Sequence, residues 1–110
     1  MNIELLYFEG CPGHEPTLNV LKDVLQEEKV EASVKSVNVN SDDLVKSYRF
    51  LGSPSIRIDG MDIEKEARST NDFGQKCRIY DDDGVPSGIP PKNMIRQAVR
   101  GAKENHSSRG

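Results

Sequence analysis

The stretch Tyr7-Phe8-Glu9-Gly10-Cys11-Pro12-Gly13-His14 decides how the rest of the chain is read, because one hydrophobic period gives way to another there. Before it, residues 3–8 form a short, strongly apolar run that reads as a buried strand, ended by Gly10 and Pro12. After it, Leu18, Leu21 and Leu25 recur at helical spacing and Val24 widens the stripe, while Lys22, Asp23, Glu27 and Glu28 cover the other side. That pattern predicts an amphipathic helix over residues 12–29. Pro12 fits its first turn, where the amides have no helical acceptor. Pro16 lies further in, so either the first turn is irregular or the regular helix begins near Glu15. A cysteine at such a junction faces unpaired amides and the positive end of the helix dipole, and both favour the thiolate.

Working outward, Ala32, Val34, Val37 and Val39 mark a second strand. Its apolar phase changes between Val34 and Val37, which fits either a bulge or burial on both faces. Asn40 or Ser41 offers a side-chain cap to a short helix with Asp42 and Asp43 in its first turn and a stripe of Leu44, Val45, Tyr48 and Leu51. Gly52-Ser53-Pro54 breaks it. Ser55-Ile56-Arg57-Ile58 alternates as a half-buried strand does, Asp59-Gly60 is a two-residue hairpin signal, and Met61 to Ile63 is the short return. Cys77-Arg78-Ile79-Tyr80 fits a small strand or an extended loop, and Asp81-Asp82-Asp83-Gly84 a turn. Pro90-Pro91 precede a last helix striped by Met94, Ile95, Ala98 and Val99. Residues 102–110 are polar and unpatterned and read as a flexible tail following a single domain over 1–101; His106, within that tail, has no assigned role.

The order β-α-β-α-β-β, an insertion and then α predicts an α/β fold. A parallel strand pair with a right-handed crossover and an antiparallel hairpin give a four-stranded mixed sheet, with helices on both faces and the insertion before the last helix. The expected core is Leu5, Tyr7, Leu18, Leu21, Leu25, Val34, Val37, Leu51, Ile56, Ile58 and Ile95.

A chain of 110 residues holds one such core and not two. With 15 Lys plus Arg against 18 Asp plus Glu, the formal net charge of −3 argues against a generic nucleic-acid binder. No run approaches the roughly 20 apolar residues of a membrane span, and no basic segment precedes an apolar one as in a secretory signal. Two cysteines are too few for a disulfide scaffold, so a reducing, cytoplasmic setting is expected. The acidic run lacks the ligand spacing of a calcium loop. Gly10 and Gly13 lack the lysine and Ser/Thr of a phosphate loop.

These segments together resemble the thioredoxin-like superfamily. Within it, they are most similar to small single-domain proteins labelled as alkylmercury lyase-related. The segments are Tyr7-Phe8-Glu9-Gly10-Cys11-Pro12, Phe50-Leu51-Gly52-Ser53-Pro54, Cys77-Arg78-Ile79-Tyr80 and Gly88-Ile89-Pro90-Pro91. The resemblance covers roughly residues 3 to 100. It implies a reactive cysteine at the first junction and a cis Ser53–Pro54 bond facing it, with the Ser53 backbone presented to an extended thiol substrate. It implies no resident cofactor.

One departure stands out: position 14 is His where the superfamily's Cys-Pro-x-Cys motif has its second thiol. Cys11 is therefore the candidate nucleophile, and His14, three residues on, can share its helix face and move its proton. Cys77 is a possible second thiol, either resolving a mixed disulfide or joining Cys11 on a soft metal ion; alternatively it packs under the insertion. Arg78 is a possible partner for a substrate anion or a member of a plain salt bridge. Three function classes follow: monothiol exchange or transfer with a small-molecule or protein thiol partner, soft-metal (mercury) binding or an alkylmercury lyase-related role, and a non-catalytic interaction domain.

Overall fold

The computed structural model describes residues 1–108, with side chains through residue 104. β1 (Ile3–Tyr7) lies at the centre of the sheet because its side chains are buried on both sides: Ile3 and Leu5 face one layer, Leu6 the other. It pairs in parallel with β2 (Val34–Asn38), from Ile3 opposite Val34 to Tyr7 opposite Asn38. On its other side it pairs antiparallel with β3 (Ser55–Ile58), Ile3 facing Ile58 and Leu6 facing Ser55. β4 (Met61–Asp62) returns along β3, giving the order β2-β1-β3-β4. Asp59 and Gly60 turn the hairpin with φ of 52° and 84°, the geometry an Asp-Gly pair supplies.

The register of β1 on β2 is continuous, so the changed phase of β2 needs no bulge. Val34 packs toward the cluster of Ile3, Leu5, Leu21, Leu25, Ile56 and Ile95. Val37 packs with Leu6, Val39, Val45 and Phe50 on the opposite face. The first cluster is roofed by α1 (His14–Glu27) and α3 (Lys92–Ser108), the second by α2 (Asp42–Tyr48). Ser41 caps α2, its Oγ accepting the Leu44 N–H at 3.2 Å, and Arg49 ends it in the left-handed region with φ of 53°. The architecture is thus α/β, with helices on both faces of a mixed four-stranded sheet, and it is consistent with a thioredoxin-like topology.

Several boundaries move from where the sequence places them. The regular part of α1 begins at His14, which leaves Pro16 in the first turn, where no helical bond is lost. Leu5, Leu21, Leu25, Val37, Ile56, Ile58 and Ile95 are buried as expected, whereas Tyr7, Leu18, Val34 and Leu51 are half-buried. The insertion holds a 3₁₀ turn (Lys65–Ser69) and a hairpin of β5 (Tyr80–Asp82) and β6 (Val85–Ser87). Asp83 and Gly84, both at positive φ, form its turn, so the first two aspartates of the acidic run belong to a strand. α3 continues past Ala102 to Ser108, so the 102–110 segment is helical backbone through residue 108. Ala, Lys and Glu are good helix formers, and the Lys103 ammonium donates to the Glu28 carbonyl at 2.8 Å. The side chain of His106 and residues 109–110 lie outside the described residues.

Candidate thiol site

Three segments converge at the C-terminal end of β1. The first is the β1–α1 turn. Gly10, at φ of 103°, swings the chain out of the strand, and the Cys11 N–H reaches back to the Phe8 carbonyl at 3.5 Å. Cys11 then lies just ahead of α1 with 9% of its surface exposed, and the backbone amide of Gly13 favours its thiolate form. Gly13 leaves room for close approach: a Cβ there would come within 3.0 Å of both the Gly88 carbonyl oxygen and Pro54 Cδ.

The second segment is the loop before β3. The Ser53–Pro54 peptide bond is cis, as the resemblance implies, and Cys11 Sγ lies 3.4 Å from the Ser53 carbonyl oxygen. The loop is tied from inside: the Ser55 hydroxyl donates to the Gly52 carbonyl at 2.5 Å, and the Tyr80 hydroxyl donates to the Pro54 carbonyl at 2.5 Å. Tyr80 is fully buried, and burial pushes its phenol well above the ordinary range, so it is a permanent donor there. Ser53 Oγ is also buried but has no hydrogen-bond partner, an open donor next to the thiol.

The third segment carries Cys77. Its Sγ lies 2.8 Å from Cys11 Sγ, and both cysteines are free thiols. The Cys77 side chain is placed there by backbone pairing: the Ser53 N–H donates to the Lys76 carbonyl and the Arg78 N–H to the Ser53 carbonyl, each at 2.8 Å. Burial alone would push the Cys11 thiol up. The Cys77 S–H, the Gly13 N–H and the Ser53 side chain outweigh burial, and the net shift is below the ordinary thiol value. The Ser53 hydroxyl acts here through proximity, since it forms no hydrogen bond of ordinary geometry. Cys77 moves the other way, because its proton is held by Cys11, with burial and the neighbouring negative charge adding to the effect. Cys11 is therefore the first of the pair to ionise, and Cys77 is the thiol that donates to it.

The two remaining candidates, His14 and Arg78, are engaged as follows. His14 stacks its ring on Tyr7, with centroids 3.7 Å apart and planes 9° from parallel, and its Nε2 lies 3.5 Å from Ser36 Oγ. These contacts turn it toward β2, and the hydrogen-bonding place beside Cys11 falls to Cys77 instead. Arg78 is buried, and its guanidinium is committed within the chain. Nη1 bonds Asp62 Oδ2 at 2.7 Å and Ser55 Oγ at 2.9 Å, and Nη2 bonds Glu64 Oε1 at 2.9 Å. Its Cζ also lies 4.6 Å from the centre of the Tyr80 ring. It is an anchor for the Cys77 segment and not an open anion site.

Sequence reasoning missed Tyr80 and Asp62 as supports of the site. Tyr80 stood in a segment quoted for the resemblance, but its place two residues from Arg78, a charge that reads as exposed, gave no sign that it faces inward. Asp62, in a return strand opposite Arg57, carried no sign that its carboxylate is buried with an arginine from the insertion.

Among the described residues no group of three or more His, Cys, Asp or Glu side chains is arranged to hold a metal ion. No described helix is long and apolar enough to cross a membrane. Comparison of the chain with protein-family models, with curated proteins and with solved structures yields no match.

Proposed function

We propose that the protein is a thioredoxin-like thiol–disulfide exchange protein in which Cys11 attacks and Cys77 resolves. The observation that carries this reading is the 2.8 Å separation of the two sulfurs, together with the opposite directions in which their proton affinities move. It revises the monothiol reading of the sequence: the second thiol absent from position 14 is supplied by the insertion.

The steps balance without any further group. The Cys11 thiolate attacks one sulfur of a disulfide RSSR, forming a Cys11–SR bond and releasing RS⁻. Cys77, its proton passing to that thiolate or to water, attacks Cys11 Sγ and expels the second RS⁻. The protein is then oxidised to a Cys11–Cys77 disulfide, and RSSR is reduced to two thiols. Two equivalents of a low-molecular-weight thiol, as a reducing cytoplasmic setting supplies, reverse the sequence and return the protein to the dithiol state. Cys77 resolves at high effective concentration because the backbone pairing with Ser53 holds it in place. The lowered proton affinity of Cys11 also makes it the better leaving group.

The test is to treat the reduced protein with a small disulfide and follow adducts by mass spectrometry. The parent should release both halves and lose two hydrogens. Cys77→Ser should stop at the mixed disulfide on Cys11, and Cys11→Ser should not react productively. A Cys77→Ser variant that turns over like the parent refutes the resolving role.

The converging sulfurs also favour a second reading, a two-thiolate site for a soft cation such as mercury, in keeping with the alkylmercury lyase-related resemblance. In a mercury titration of the reduced protein, loss of either cysteine should then weaken binding sharply. Equal binding by parent and single-cysteine variants excludes it.

A further inference from the structure

The backbone beside Cys11 is an edge that the chain itself has filled. Ser53 gives its N–H to the Lys76 carbonyl and takes the Arg78 N–H on its own carbonyl, so residues 76–78 lie along it as one step of a parallel ladder with Cys77 facing Cys11. Strand addition to free N–H and C=O groups is one way for an extended polypeptide to bring its cysteine to a thiol. At Ser53, the residue whose carbonyl lies 3.4 Å from Cys11 Sγ, both groups are taken.

The filling segment is not a loose flap. Arg78 ties it to β3 and β4 through Ser55, Asp62 and Glu64, and its guanidinium lies over the Tyr80 ring, while Tyr80 holds the Pro54 carbonyl. Gly52 packs directly under it: a Cβ there would stand 2.8 Å from Arg78 Cγ and 2.9 Å from the Lys76 carbonyl oxygen. To take the edge, a polypeptide would have to break two backbone bonds and lift a buried arginine from its carboxylates. A small disulfide makes no such demand, since it needs only a path to the sulfur. Cys77, in contact with Cys11, is the exposed member of the pair.

Building on the thiol-exchange reading, we infer that the centre takes low-molecular-weight disulfides and excludes extended polypeptide ones, with residues 76–78 as the specificity element. The segment fills the peptide position itself and turns Cys77 into a built-in partner for Cys11.

The experiment compares two probes with the same leaving group: hydroxyethyl disulfide and a short linear peptide whose central cysteine is in mixed disulfide with mercaptoethanol. Each rate is divided by that of free mercaptoethanol with the same probe, which removes intrinsic reactivity. The parent should favour the small disulfide by about tenfold or more, the scale set by the two backbone bonds a peptide must displace. Asp62→Asn, which loosens the Arg78 anchor, should narrow that preference. Equal normalised rates in the parent overturn the inference, whether or not Asp62→Asn folds. A second arm needs no chemistry at Cys11. Hydrogen exchange at the Arg78 amide is measured with and without excess of the same peptide carrying Ser for Cys. Unchanged protection supports the inference, and loss of protection overturns it. Should Cys11 react with neither probe, the exchange reading fails while the amide measurement still decides whether the edge is closed.

Discussion

Replacing Arg78 by Gln tests whether the insertion is clamped onto the sheet as described. The substitution keeps much of the side-chain volume and removes the charge. Asp62 is only 5% exposed and loses two contacts, at 2.7 and 3.3 Å, while Ser55 Oγ loses its donor at 2.9 Å. Glu64 is 27% exposed and can turn to water, so it adds little. The dominant cost is a carboxylate left buried without its partner, about 3–5 kcal/mol in such cases. In a domain of this size that lowers the unfolding midpoint by roughly 10–20 °C. Thermal and urea unfolding, followed by far-UV circular dichroism, measure it directly. Asp62→Asn in the Arg78→Gln background should recover at least about 1 kcal/mol, because the stranded charge is then gone. A loss from Arg78→Gln below about 1 kcal/mol, the range of exposed ion pairs, would refute the clamp. So would a double variant no more stable than the single.

Three further outcomes follow from the site. Tyr80→Phe leaves the buried Pro54 carbonyl without its donor and should cost about 1–3 kcal/mol in urea unfolding; an unchanged midpoint would show that the bond contributes nothing. Gly13→Ala places a methyl 3.0 Å from the Gly88 carbonyl oxygen and Pro54 Cδ. It should destabilise by about 1–3 kcal/mol, despite the better helix propensity of Ala, and slow alkylation of Cys11, whereas a stabilised variant would mean the turn is not tightly packed. Cys77→Ala removes the largest influence lowering the Cys11 proton affinity and leaves burial, which raises it. The pH at half-maximal alkylation of Cys11 should therefore move upward and the rate near neutrality fall; a midpoint that stays put or moves down would show that Cys77 does not donate to the Cys11 thiolate.

Much of this arrangement was legible from local chemistry. The β1 run, the leucine stripe of α1, the Ser41 cap and the Asp59-Gly60 hairpin each carry their signal within a few residues, and the strand-to-helix turn singles out Cys11. The cis Ser53–Pro54 bond came through resemblance, since trans is the ordinary state of a lone proline. The meeting of the two sulfurs was not legible. Sixty-six positions separate them, and sequence spacing says nothing about contact at that range. Arg78 and Asp62 were hidden for another reason: single charged residues read as exposed, and only the fold shows that each buries the other. For His14, helical spacing suggested a place on the Cys11 face but could not show that its ring stacks on Tyr7 of β1.

The central claim is that Cys11 and Cys77 form one redox centre, and the most direct measurement is a disulfide map. Dilute reduced protein is oxidised with a small disulfide, its remaining thiols are alkylated, and the chain is digested without reduction. The account predicts one intramolecular cross-link joining the peptides that contain Cys11 and Cys77, absent from either Cys→Ser variant and reversed by a small thiol. Recovery of both peptides separately, alkylated or bearing stable mixed disulfides, would contradict it.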